Sequence, residues 1–180
     1  QYNLGATALR QSVVEALYEP WFYLPVALLG FEPLAVMLAL QVNITYMFWP
    51  HTQHIKRMPR WFEAVFVTPA HHRVHHASNL AYLDKNYGGT LIIWDKLFGT
   101  FAEEREAPAF GVLTPIRSAN PWTVTTASWR ALGRDLASAS GFRERLGVLL
   151  RPPGWAPNGA GLTTRQMQAA GVLKAGAPLA

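Results

Sequence analysis

Two apolar stretches separated by a turn dominate the first third of the chain. From Trp21 to Pro50 the only charged residue is Glu32, and Gly30-Phe31-Glu32-Pro33 interrupts the run with the Gly/Pro punctuation of a turn. The pattern predicts one helical arm over Val13–Leu29 and a second over Leu34–Trp49, a hairpin covering about residues 13–50. Each arm is 16 or 17 residues long, a little short of the ~20 that cross a bilayer at right angles. A chain of 180 residues has too few other apolar positions to bury both arms all round. Insertion into a membrane is therefore expected. Tyr18, Trp21, Phe22 and Tyr23 on one arm and Tyr46, Phe48 and Trp49 on the other then share one membrane face, where aromatic rings prefer the headgroup level.

Downstream the pattern turns amphipathic and turn-rich. Trp61–Val67 predicts a short helix and Asn86-Tyr87-Gly88-Gly89 a turn. The apolar run Thr90–Phe101 places Leu91, Ile92, Ile93, Trp94, Leu97 and Phe98 on a helix at the membrane-proximal face. Glu103, Glu104 and Glu106, with several prolines, predict an exposed loop. Trp129–Leu150 reads as one amphipathic helix, with Leu132, Leu136, Phe142, Leu146 and Leu149 on its apolar side and Arg130, Arg134, Arg143 and Arg145 elsewhere. Pro152-Pro153-Gly154 ends it, and residues 156–180 are expected to form a loosely ordered tail. The expected fold class is all-α: an integral membrane hairpin carrying a helical, histidine-rich metal cap over about residues 51–101, within one unit spanning residues 1–155.

Composition narrows the chemistry. The absence of cysteine removes disulfides, thiolate metal sites and cysteine nucleophiles, so any metal is held by nitrogen or oxygen. The formal charge is +5, yet residues 11–55 contain no Lys or Arg. Lys56, Arg57 and Arg60 follow the hairpin at once, as the positive-inside rule places them if that face is cytoplasmic. This asymmetry fits a membrane better than a nucleic acid. Gln1–Leu9 has neither the basic region nor the cleavage site of a secretory signal, and Gln1 is expected to be an internal cut in a longer protein.

All six histidines lie between positions 51 and 76. His72, His75 and His76 form an H-x-x-H-H pattern, and on a helix the i, i+3 and i+4 positions share one face. Two imidazoles at that spacing chelate one ion and a third can reach a second ion nearby. His51 follows the second apolar arm and projects toward the same region; His71 and His54 have ligand-compatible spacing. Imidazole suits iron, zinc, copper and nickel alike. A bound imidazole donates its other N–H to an oxygen, and Asp84, Asp95, Asn79 and Asn86 are the nearest candidates in sequence. The chain holds no G-x-S-x-G, no H-E-x-x-H and no phosphate-cradling glycine loop.

The blocks Phe48-Trp49-Pro50-His51-Thr52, Thr68-Pro69-Ala70-His71-His72-Arg73-Val74-His75-His76, Asp84-Lys85-Asn86-Tyr87-Gly88-Gly89 and Trp94-Asp95-Lys96-Leu97-Phe98-Gly99-Thr100-Phe101 resemble the sterol desaturase and fatty acid hydroxylase superfamily. Within it they are most similar to the bacterial branch near the alkylglycerol monooxygenases. Tyr2-Asn3-Leu4 and Arg10-Gln11 resemble the stretch just beyond that family's second histidine box. The resemblance implies a membrane-embedded dinuclear iron centre that uses O2 to hydroxylate or desaturate a lipid, whether sterol, fatty acyl or ether lipid. It implies His72, His75 and His76 as ligands in the last box and His51 in the preceding His-Thr motif. Where relatives have a second histidine in that motif this chain has Ile55, and His54 stands one residue away. The family's first two boxes would lie upstream of Gln1, so the piece alone is expected to be inactive. Electrons are expected from an external donor, an electron-transfer protein or a reduced pterin. Two other readings remain: a non-catalytic membrane protein with a structural metal, and a basic module for anionic lipid or nucleic acid whose binding is salt-dependent and survives chelation.

Overall fold

The computed structural model describes residues 15–172 apart from 112, 114, 115, 117, 119, 153, 158 and 160, and of residues 15–20 the backbone only. The expectations for Tyr2-Asn3-Leu4, Arg10-Gln11, Val13, the Tyr18 ring and Pro153 lie outside that set. Among the described residues every named element is helical, and backbone pairing is limited to isolated bridges such as Phe66 with Leu91. The all-α expectation is met. Two compact units form, one from the chain up to Ala77 with Asp84–Phe110, the other from Ser78–Leu83 with the chain from Gly111 onward.

In the first unit α1 (Glu15–Leu28) and α2 (Pro33–Phe48) pack together as a hairpin. Gly30 turns the corner at φ +95°, a conformation that suits a residue without Cβ. Glu32 caps α2 by accepting the Ala35 N–H at 2.9 Å. No residue of α2 is buried, and Leu28, Leu29, Phe31 and Leu34 around the turn stand exposed. Helices of 14 and 16 residues extend about 21 and 24 Å, against about 30 Å of hydrocarbon. Among the described residues no helix is long and apolar enough to cross a membrane.

The last turns of α2 carry its contacts with the rest of the unit. Tyr46 donates its hydroxyl to the Val67 carbonyl (2.8 Å), and Thr90 donates to the Asn43 side-chain oxygen (2.8 Å). Three short helices follow: α3 (Arg60–Val65), α4 (Pro69–His75) and α5 (Ile93–Phe98). Their core is small and tight, with Val67, Ala70, Val74 and Ile92 buried. The run expected as a helix from Thr90 begins its helix only at Ile93. Leu91 instead bridges Phe66, the Ile92 N–H bonds the Val65 carbonyl, and Ile92 is sealed in the core.

Two buried polar side chains tie the loops of this unit. Asp95 accepts the Tyr87 and Gly88 N–H groups, both at 2.7 Å, and the Thr100 hydroxyl at 2.6 Å. Asn86, held at φ +55° in the expected turn, bonds the His71 and Ala102 carbonyls and accepts the Ala102 N–H. Asn tolerates that left-handed conformation better than most residues.

The second unit contains a 3₁₀ turn at Leu80–Tyr82, then α6 (Pro121–Ser138), α7 (Phe142–Leu150) and α8 (Thr164–Ala170). The single helix expected over Trp129–Leu150 is corrected to two. The chain breaks at Ala139-Ser140-Gly141, where Ser140 gives both its N–H and its hydroxyl to the carboxylate of Glu144 in the first turn of the new helix (2.8 and 2.7 Å). Within the span expected as a loose tail, α8 forms on a reciprocal cap: Thr163 N–H to Gln166 Oε1 at 2.8 Å, and Gln166 N–H to Thr163 Oγ1 at 3.4 Å. Gly171 closes it at φ +64°.

Gly88 is the tightest point of the Asp95 clamp. A Cβ there would lie 2.6 Å from the Leu91 carbonyl oxygen and 2.9 Å from an Asp95 oxygen. Gly88→Ala should therefore lower stability by about 1–3 kcal/mol, read as an earlier thermal unfolding midpoint in detergent.

Candidate metal centre

Three imidazoles converge in the first unit. The Nε2 atoms of His51 and His72 lie 2.9 Å apart, and that of His76 lies 3.2 Å from each. His51 and His72 are buried and His76 half-buried. Helix geometry explains the pair on α4: position i+4 stands about 40° round the axis from i, whereas i+3 stands about 60° the other way. His76, the C-cap residue of α4, thus turns to the side of His72 that meets His51. His51 arrives just beyond the end of α2, where the last carbonyls lack partners in the helix. Its Nδ1 lies 2.8 Å from the Met47 carbonyl oxygen. A carbonyl only accepts, so Nδ1 carries the proton and Nε2 presents a lone pair to the centre.

Protons cannot satisfy this triangle. With His51 Nε2 an acceptor, its two contacts require hydrogens on both His72 and His76, and those two hydrogens would then face each other. A cation satisfies all three lone pairs at once. The three ring nitrogens would hold one divalent ion between them. Iron and other borderline divalent ions accept this donor set equally.

The remaining candidates are placed as follows. His75 is exposed, its ring stacked on His72 (centroids 5.5 Å) and its Nδ1 3.4 Å from the Lys85 carbonyl. It stands beside the triangle and outside the convergent set. His71 is buried, and its Nδ1 accepts the Thr68 N–H at 3.3 Å, taking the place that Glu or Gln usually holds three residues after a helix cap. Burial lowers its pKa most, partly opposed by the charge of Glu63. His54 is exposed, with its backbone N–H on the Thr52 hydroxyl.

Asp84, Asn86 and Asp95, expected to steer the ligand rings, hold loops instead. Asp84 accepts the Tyr87 hydroxyl at 2.9 Å, and burial together with that carboxylate raises the Tyr87 pKa to about 12. Asn79 stands at the start of the 3₁₀ turn of the second unit. The oxygen that orients His51 is a backbone carbonyl, that of Met47, which no side-chain inventory could identify.

Sequence reasoning also passed over Arg73, inside the histidine block. Its guanidinium is buried and pairs with Glu104 through two contacts, Nε to Oε1 at 2.7 Å and a terminal nitrogen to Oε2 at 2.6 Å. It also donates to the carbonyls of Thr52, Ile55 and Lys56. Glu104, expected in an exposed loop, is therefore mostly buried. An unpaired guanidinium beneath the histidines would be costly, so this carboxylate is drawn in. One side chain fixes the strand of chain that carries His51 and the helix that carries His72.

Arg73→Met should cost about 3 kcal/mol by stranding Glu104, measured by denaturant unfolding, and should weaken metal binding as well. Arg73→Lys should recover only part, because an ammonium lacks the two-pronged geometry. For His71 the folded pKa lies below the unfolded value. The neutral ring is the one the fold accepts, so stability is full above about pH 6.5 and declines as pH falls through that value. His71→Gln keeps the cap acceptor without the titration, and its unfolding midpoint should fall less than wild type's between pH 7.5 and 5.5.

Comparison with known proteins identifies the family. A family described as fatty acid hydroxylase matches residues 2–100, which include all six histidines. The chain is 42% identical over 157 residues to an alkylglycerol monooxygenase of Homo sapiens and 41% identical over 156 residues to that of Danio rerio, in each case with 87% of this chain and 34% of the relative. A shorter stretch of 39 residues, 22% of this chain and 12% of the relative, is 51% identical to an ornithine lipid hydroxylase of Rhizobium tropici. The chain thus spans about a third of the length of the alkylglycerol monooxygenases it matches. No solved structure matches. More than half of the sequence, with the convergent histidines inside it, follows one family pattern, and the chain belongs to the fatty acid hydroxylase family.

Proposed function

We propose that this chain is part of a membrane-bound, non-haem di-iron monooxygenase that acts on a lipid. The convergence of His51, His72 and His76 carries the reading, supported by the family and by relatives named as monooxygenases and a lipid hydroxylase. Iron held there would supply O2-dependent oxidation of an unactivated C–H bond, by hydroxylation or desaturation. The chain's own residues fix the ligands: the Met47 carbonyl sets the His51 tautomer, and Arg73 with Glu104 holds both ligand-bearing segments. His75, beside the triangle and exposed, is assigned to a second iron whose further ligands come from outside residues 51–76. Electrons come from an external donor, an electron-transfer protein or a reduced pterin.

On the same reading the α1–α2 hairpin enters the hydrocarbon layer and returns. Helices that expose this many apolar residues are stable in lipid rather than water. Lys56, Arg57 and Arg60 then keep the metal centre at the cytoplasmic face. The lipid substrate approaches the metals laterally along the hairpin.

The test uses membranes containing the full-length protein with iron, O2 and a reductant, and mass spectrometry of the lipids. Products heavier by one oxygen or lighter by two hydrogens are expected. His72→Ala should lose both product and bound metal, whereas His75→Ala should lose product and keep the ion at the triangle. Metal retained by the wild type with no lipid product would instead favour a structural site.

A further inference from the structure

The second unit presents an amphipathic helix with its apolar stripe outward. Around the axis of α7, Phe142, Leu146, Leu149 and Leu150 fall within one sector, and all four are exposed, from 43% for Leu146 to 79% for Phe142. The inward side consists of Glu144, Gly147 and Val148. Gly147 is pressed so closely on Trp155 that a Cβ would lie 2.8 Å from its ring. This orientation is fixed by packing: turning the leucines inward would drive side chains into that indole. Arg143 and Arg145 border the stripe, one on each flank.

Charge adds an independent observation. Residues 111–172 contain seven arginines and two acidic residues, while the rest of the chain balances nine basic against nine acidic residues. The whole excess of +5 belongs to this part. On α6, Trp122 and Trp129 are spaced two turns apart and are also exposed. An apolar stripe edged by arginines and accompanied by indoles is the composition of a helix that lies in a membrane interface, its apolar side among acyl chains and its cations at the headgroups. A nucleic acid would match the arginines and leave the leucines in water.

We infer that α7 and its arginines form a binding surface for anionic phospholipid, separate from the histidine site and outside the segment matched by the family. It stands whether or not the hairpin enters the bilayer. Neither the apolar stripe nor the charge suffices alone, since lasting membrane attachment needs two weak signals acting together.

These 180 residues contain no cysteine, so Leu149→Cys gives them one site for an environment-sensitive fluorophore. Vesicles of phosphatidylcholine with one-third phosphatidylglycerol should shift its emission to the blue, and spin-labelled lipid should quench it. Vesicles of phosphatidylcholine alone, which the hairpin of the proposed function would still enter, should leave the α7 fluorophore unshifted and unquenched. Arg143→Gln with Arg145→Gln should weaken binding to the anionic vesicles about 30-fold, at about 1 kcal/mol per cation, and high salt should weaken the unsubstituted form similarly. Both arginines are exposed, so the double variant keeps its circular dichroism spectrum and melting point. Chelation should change nothing here, although it would abolish lipid oxidation. An equal response to neutral vesicles, a shift that depends on protein concentration without vesicles, competition by duplex DNA at equal phosphate, or no shift at all would each overturn the inference.

Discussion

Three imidazole nitrogens within 3.2 Å of one another are the constraint on which the first unit is organised. Each nitrogen presents electron density toward the other two, and no assignment of protons makes all three contacts favourable. The fold must hold that arrangement against its own repulsion, or share its cost with a cation. This explains why so much of a small core is polar. Thr68, His71, His72, Arg73, Asn86 and Asp95 are all buried, and among the described residues no buried side-chain nitrogen or oxygen lacks a partner. Outside the imidazole triangle, such a paired polar network specifies one arrangement, whereas an apolar core of this size would tolerate several.

The network works in two directions. Arg73 draws the chain after His51 onto α4, and Asp95 with Asn86 draws the 86–102 loop onto the same helix. The helix that bears His72 and His76 is thereby clamped from both sides although it has only seven residues. So short a helix has little stability of its own. Its Thr68–His71 cap and these tertiary bonds replace the missing length. The consequence for the site is that both segments bearing the convergent rings are held by bonds that involve no ring nitrogen of His51, His72 or His76.

Much of this was legible in the residues, and the remainder was hidden for definite reasons. The bunching of histidines identified the cap, and the Gly/Pro break identified the hairpin, because both are local in sequence. Which histidines meet was not local. His76 joins His72 while His75 does not, since the choice depends on where His51 enters, and that depends on a turn after α2. Arg73 and Glu104 are 31 residues apart, and a glutamate among prolines resembles any solvated loop. The break between α6 and α7 is marked by Ser140 meeting Glu144, a short-range signal obscured by continuous periodicity across it. The Thr163-x-x-Gln166 cap of α8, by contrast, was readable and was outweighed by the Gly- and Ala-rich composition around it.

That break also changes what the apolar residues of the region mean. On one continuous helix Leu132, Leu136, Phe142, Leu146 and Leu149 would form a single buried side. Once Ser140 and Gly141 reset the helix axis, Leu132 and Leu136 remain half-buried while the three residues of α7 turn to the outside. The hairpin and the α7 stripe, both exposed and apolar, therefore differ in kind. The hairpin is largely apolar, and no Lys or Arg follows it until Lys56. The α7 stripe is narrow, edged by arginines and backed by a packed indole, as suits lying at a charged boundary. A formal charge of +5 on a chain that is half hydrophobic is a contradiction only when averaged over the whole sequence. Resolved by region, the excess lies wholly in the part that carries α7, while residues 11–55, which include the hairpin, contain no Lys or Arg.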